Sequence, residues 1–108
     1  MLDIDVTIDN DKIVYSLVGI LNTSTAQKFR DCLELHTDFE SIIVFDFLKI
    51  KYISSDGLRV LLDFQLKVDD KKGELKIINV SSDIMEVLEL TGFTNVLVIE
   101  SSDGENDG

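Results

Sequence analysis

Apolar and polar residues alternate from the first residues of the chain. Leu2, Ile4, Val6 and Ile8 are apolar, with Asp3, Asp5 and Thr7 between them. A period of two predicts a half-buried strand, Leu2 to Ile8. Asp9-Asn10-Asp11 supplies turn chemistry. A second strand, Lys12 to Val18, follows, and Gly19 is expected to end it. Two such runs joined by a short turn predict a hairpin, so the sheet starts antiparallel. The period then lengthens. Ala26, Phe29, Cys32 and Leu33 recur every three or four residues behind the cap candidates Thr23, Ser24 and Thr25, predicting a helix from about Ser24 to His36.

Ser41 to Phe47 is an apolar run broken only by Asp46, and it reads as a covered central strand. Leu48 to Ile53 leads into Ser54-Ser55-Asp56-Gly57, and a second helix runs to about Val68. Asp69 to Gly73 makes a solvated turn before a strand from Glu74 to Val80. Ser81, Ser82 and Asp83 cap a short helix, Ile84 to Leu90, which Gly92 closes, and a last strand covers Asn95 to Ile99. The order is ββαβαβαβ. Helices between strands imply right-handed crossovers and a largely parallel region. One α/β domain is expected over residues 1–100, with 101–108, SSDGENDG, a disordered acidic tail.

Composition narrows the function. Asp and Glu number 21 against 10 Lys and Arg, a net charge of −11, which repels phosphate backbones and anionic lipid heads. Direct nucleic-acid or membrane binding is therefore not expected, and a partner with a basic face would be attracted. No run approaches the roughly 20 apolar residues of a membrane span. The acidic start MLDIDVTIDND does not resemble a signal peptide. Cys32 is the only cysteine and falls within a helical pattern, so a structural role in a reducing cytoplasm is expected. No zinc pattern occurs, and neither metal nor cofactor is expected.

The informative stretch is Ser54-Ser55-Asp56-Gly57-Leu58, between a strand and an amphipathic helix. A helix N-terminus offers unpaired N–H groups and favours negative charge. Serine there is most often a cap. A phosphate there would add about −1.5 to −2 charges. Leu58, Leu61, Leu62 and Leu66 form a stripe expected to face the sheet. Val60, Phe64 and Val68 form a second, so this helix is either deeply buried or carries a contact surface. Asp46 reads either as an exposed strand terminus or as a polar group at the edge of the serine turn, since strand ends and the loops after them cluster at one rim, which Asn22 could also reach. His36, the sole histidine, lies among polar residues at a helix end, and no Ser-His-Asp set, HExxH or phosphate-loop motif occurs.

Three segments resemble the STAS family, named for sulfate transporters and anti-sigma-factor antagonists. Val18 to Ala26 is similar to the family's G-x-L-D-x-x-T-A segment. Ile43 to Asp46, followed by Tyr52 to Leu58, is similar to its strand and D-S-[ST]-G-L turn. Val87 to Phe93 is similar to its late L-x-x-[TS]-G-[LF] segment. The resemblance implies a mixed sheet with helices mainly on one face and no catalytic activity. It implies an unphosphorylated antagonist that binds an anti-sigma factor, commonly also a serine kinase, and so releases a sigma factor. A phosphoserine phosphatase restores binding. Alignment through Gly57 and Leu58 places the phosphorylated position on Ser55, with Ser54 the secondary candidate. The partner-binding set it implies is Asn22, Thr23, Ser24, Asp46, Ser54, Asp56, Gly57, Leu58 and Arg59, on a monomer or weak dimer.

Two departures stand out. Ser54 replaces the aspartate before the phosphosite while Asp56 follows it in place of serine or threonine, so the acidic neighbour has moved across the serine; and Asn22 replaces the aspartate of the early loop. Both leave room for an alternative within the family: a non-phosphorylated STAS subunit of a lipid-transport ABC system or another signalling scaffold. A hydrolase with Ser55 as nucleophile is physically conceivable at a helix N-terminus, but nothing supplies an obvious base, the one histidine being far away in sequence.

Overall fold

The computed structural model describes residues 1–101. Its elements are β1 (Leu2–Asp9), β2 (Lys12–Leu21), α1 (Thr23–His36), β3 (Ile42–Ile53), α2 (Ser55–Asp70), β4 (Glu74–Val80), α3 (Ser82–Leu90), a 3₁₀ turn over Phe93–Asn95, and β5 (Ile99–Ser101). They build one mixed five-stranded sheet in the order β1-β2-β3-β4-β5. β1 is antiparallel to β2, and the other pairs are parallel. Phe29 and Leu33 of α1, Leu61 and Phe64 of α2, and Ile84 and Leu88 of α3 enter one core with the inward sheet residues. The helices thus share one face. At its centre the Phe45 ring meets Tyr15 edge-on at 5.7 Å, Phe29 at 5.2 Å and Phe64 at 5.5 Å.

Several elements depart from the sequence reading, each for a local reason. Gly19 does not end β2, which continues to Leu21. At φ +122° it bends the strand, and a Cβ there would stand 2.2 Å from the Met1 carbonyl oxygen. β3 does not stop at Phe47. Ser16 faces Asp46, Val18 faces Lys49 and Ile20 faces Tyr52, so β3 gains two residues over β2 through two bulges. The buried positions become Phe47, Ile50 and Ile53, a spacing of three that hides a strand from an alternation test. The strand expected at Asn95–Ile99 starts at Ile99 instead. The N–H groups of Val96 and Leu97 both donate to the Phe93 carbonyl, so that backbone is spent in the turn. β5 reaches Ser101, and the rest of the expected tail, 102–108, lies outside the described residues.

α2 is rotated from the expected orientation. Leu66 is 56% exposed and Leu62 half-buried, while Leu58, Val60, Leu61, Phe64 and Val68 point inward. Phe64 decides this, because it packs between Phe45 and Phe39, and an aromatic ring buries more area than a leucine.

A rim built from two helix starts

α1 and α2 begin side by side. Asn22 is the N-cap of α1. Its side-chain oxygen accepts the Ser24 N–H at 3.0 Å, the Thr25 N–H at 3.2 Å and the Ser24 hydroxyl at 2.9 Å. Thr25 returns a capping-box bond, its hydroxyl oxygen accepting the Asn22 N–H at 2.9 Å. The cap is thus the residue before the three candidates named from sequence. Ser54 is the N-cap of α2 in extended backbone, and its hydroxyl oxygen accepts the Gly57 N–H at 3.5 Å. The Ser54 N–H donates to the Leu21 carbonyl at 2.9 Å and ties the second helix start to the end of β2.

Across the gap, the Thr23 hydroxyl donates to the Asp56 carboxylate. The first turns of the two helices are therefore linked by side chains as well as backbone. Gly57 makes the close approach possible. A Cβ there would lie 2.7 Å from the Leu21 carbonyl oxygen, 2.8 Å from Leu21 Cγ and 2.9 Å from Ile53 Cγ1.

The two serines have different surroundings. Ser54 is half-buried and engaged in the cap, whereas Ser55 is exposed as the first residue of α2 and its hydroxyl makes no hydrogen bond among the described residues. Thr23, Ser24, Asp56 and Arg59 are exposed around it. The set named from sequence does not all gather there. Leu58 is only 7% exposed, so it anchors α2 in the core and offers no contact surface, and Gly57 is buried as a spacer. Asp46 sits mid-strand, paired with Ser16 and Ile78. At about 3.3 Å per residue it lies on the order of 20 Å from Ser54. The Asn22 side chain is at the rim but turned into its own helix.

Elsewhere, His36 closes α1, roughly 20 Å from that helix's start at about 1.5 Å per residue. Cys32 is half-buried, and burial pushes its thiol pKa up. A cleft of about 410 Å³ opens between α1 and α2, floored by Leu33, Val60 and Phe64. The Arg30–Asp63 ion pair, at 3.0 Å, stands at its edge. No described helix is long and apolar enough to cross a membrane, and no group of metal-ligating side chains occurs among the described residues.

A parallel sheet opened by a β1-β2 hairpin, with all helices on one face and a serine turn between two helix starts, is the SpoIIAA-like architecture. Residues 3–105 match the STAS domain family, and the chain belongs to it. Among curated relatives, the anti-sigma-B factor antagonist of Listeria monocytogenes is 27% identical over 101 residues, covering 93% of this chain and 89% of that protein. The fold also superposes on an anti-sigma factor antagonist from Mycobacterium paratuberculosis, with TM-score 0.83, 18% identity, and coverage of 93% and 86% of the two chains. The anti-sigma factor antagonist SpoIIAA in its unphosphorylated form matches with TM-score 0.73 and 14% identity over 97% of this chain and 94% of that one.

Proposed function

We propose that this chain is an anti-sigma factor antagonist. Its unphosphorylated form binds an anti-sigma factor that is also a serine kinase, and phosphorylation of Ser55 ends the binding. One observation carries the reading: Ser54 does the capping and leaves the neighbouring Ser55 hydroxyl exposed and unpartnered. A kinase can reach that oxygen without dismantling the helix. The Listeria relative's name and the two solved forms of SpoIIAA, one phosphorylated and one not, support it.

The departures at Ser54 and Asn22 fit this reading. Both residues are helix N-caps here, a role that Ser, Asn and Asp fill about equally well. Each change keeps a side chain that can cap; at the serine turn the carboxylate is not lost but stands on the other side of Ser55, at Asp56. The docking surface comprises the exposed first turns of both helices, Thr23, Ser24, Asp56 and Arg59, and the half-exposed outer side of α2 at Leu62 and Leu66. The protein acts in the cytoplasm, and a phosphatase resets it.

A pull-down from native lysate, read by mass spectrometry, tests the proposal. Wild type and Ser55→Ala should retain an ATP-binding anti-sigma factor, and Ser55→Asp should lose it. Undiminished phosphate incorporation into Ser55→Ala would refute the assignment.

A further inference from the structure

Past Asp46 the sheet forks. The β3-β4 pairing runs from Ile42 opposite Glu74 to Asp46 opposite Ile78 and goes no further. Two features part the strands. Asn79 takes φ 59°, which breaks the extended backbone of β4, and just past Asp46 β3 carries its two bulges against β2. Asp46 sits in the crotch, where its Oδ1 accepts the Asn79 side-chain amide at 3.1 Å and the Leu48 N–H at 3.0 Å. From Leu48 to Ile53, β3 therefore has β2 on one side and no strand on the other among the described residues.

The open side faces a groove of about 540 Å³, walled across from β3 by Ser81 and Asp83 at the start of α3. Along it the bulges re-aim side chains outward. Leu48 and, on the neighbouring strand, Val18 line it at 58% and 40% exposed, and further along β3 Tyr52 is 54% exposed. Lys49 and Lys51 are exposed between them and make no ion pair among the described residues. On a chain of net charge −11, the lining is locally basic, since Lys49 and Lys51 outnumber the one carboxylate of the opposite wall, Asp83, and an acidic segment is attracted there.

We propose that this open edge of β3 docks an extended, acidic segment of a partner protein by strand addition. Main-chain hydrogen bonds to β3 would provide affinity. Alternate side chains would read Lys49 and Lys51 by charge and Leu48 and Tyr52 by apolar contact. A lipid surface does not fit, since a chain of net charge −11 repels anionic headgroups. The inference stands apart from modification at Ser55, as none of its contacts uses that hydroxyl.

The test uses the full chain, ¹⁵N-labelled, and a fluorescein-labelled octapeptide alternating Glu and Val. Saturable binding is expected, with amide shifts confined to Leu48–Ile53 and Val18. Binding should be lost when alternate peptide amides are N-methylated, an arm that leaves the protein untouched. The double variant K49E/K51E, checked for folding by circular dichroism, should bind at least about tenfold more weakly. Four outcomes overturn the proposal. They are no saturation up to about 1 mM, shifts centred elsewhere, affinity unchanged by charge reversal, and a wild-type dimer in sedimentation that K49E/K51E dissolves. The last would make a second copy of the chain the occupant.

Discussion

Gly57→Ala sets two physical effects against each other with opposite signs. In a helix, alanine is favoured over glycine by about 1 kcal/mol, because glycine loses more backbone entropy on folding. By propensity alone the variant should be the more stable protein. Packing opposes this. The added methyl carbon would meet the Leu21 carbonyl oxygen at 2.7 Å, Leu21 Cγ at 2.8 Å and Ile53 Cγ1 at 2.9 Å. One of these is backbone, and the two side chains are 0% and 4% exposed, with nowhere to retreat. Relief requires α2 to lift from the strand ends, stretching the 2.9 Å bond from the Ser54 N–H to the Leu21 carbonyl. Overpacking costs about 1–3 kcal/mol, and with a backbone atom among the three contacts the upper part of that range, about 2–3 kcal/mol, applies. The net expectation is a loss of roughly 1–2 kcal/mol, seen in urea unfolding as a midpoint about 1 M lower at unchanged m-value. Amide exchange at Ser54 should quicken at the same time. A midpoint equal to or above wild type would show that α2 does not touch the strand ends, and the account of the rim would fail with it.

Alanine at the two serines should separate their roles. Ser54→Ala removes the cap and should cost about 0.5–1 kcal/mol by urea titration, while Ser55→Ala should stay within about 0.5 kcal/mol of wild type. Gly19→Ala places a side chain at φ +122° and 2.2 Å from the Met1 carbonyl oxygen. It should lower stability by roughly 2 kcal/mol or more, read as a fall in Tm. Burial is the main cause that raises the Tyr15 phenol pKa from 10.0 to about 12; its hydrogen bond to Thr37 only partly offsets this. The folded-state value lies above the unfolded one, so the neutral phenol's contribution is complete below pH 10 and fades as pH climbs towards 12. That loss should reach roughly 2–3 kcal/mol. Phenolate absorbance in a Tyr52→Phe background should rise together with unfolding; a Tyr15 titration near its ordinary value in the folded protein would contradict the buried placement.

What could be read from the sequence follows what each pattern measures. β4 was legible to the residue because Leu75, Ile77 and Val80 sit between clear turns. β3 was legible only as far as alternation persisted, since each bulge shifts the buried set by one and leaves Phe47, Ile50 and Ile53 looking like no period at all. Leu62 and Leu66 misdirected the reading of α2, because leucine spacing says that a helix has an apolar face but not which of two faces wins. Phe64 settles that through rings on β3 and the Phe39 loop, contacts that no local window contains. At the rim, the serine turn was visible from residue type and spacing. The assignment of the cap to Ser54, with Ser55 left free, depends on a backbone angle and a bond to Gly57. Asp46 was misplaced because strand length was misjudged, and the fork it bridges needs the left-handed Asn79 on another strand.

The rim also explains why a phosphate on Ser55 would act on recognition and leave the fold intact. The added group would stand at the first position of α2, where unpaired N–H groups and the helix dipole stabilise negative charge by about 0.3–1 kcal/mol. Asp56 beside it accepts the Thr23 hydroxyl, which favours keeping its carboxylate near the rim. Two charges repelling that carboxylate about 6 Å off in near-water dielectric cost on the order of 1 kcal/mol. The two terms nearly cancel within the chain. A partner docked over Ser55 has no such offset, because it must desolvate the phosphate and face its charge at contact distance. A modification nearly neutral to folding and strongly unfavourable to docking is what the proposed switch requires, and the paired helix starts would supply it without any moving part.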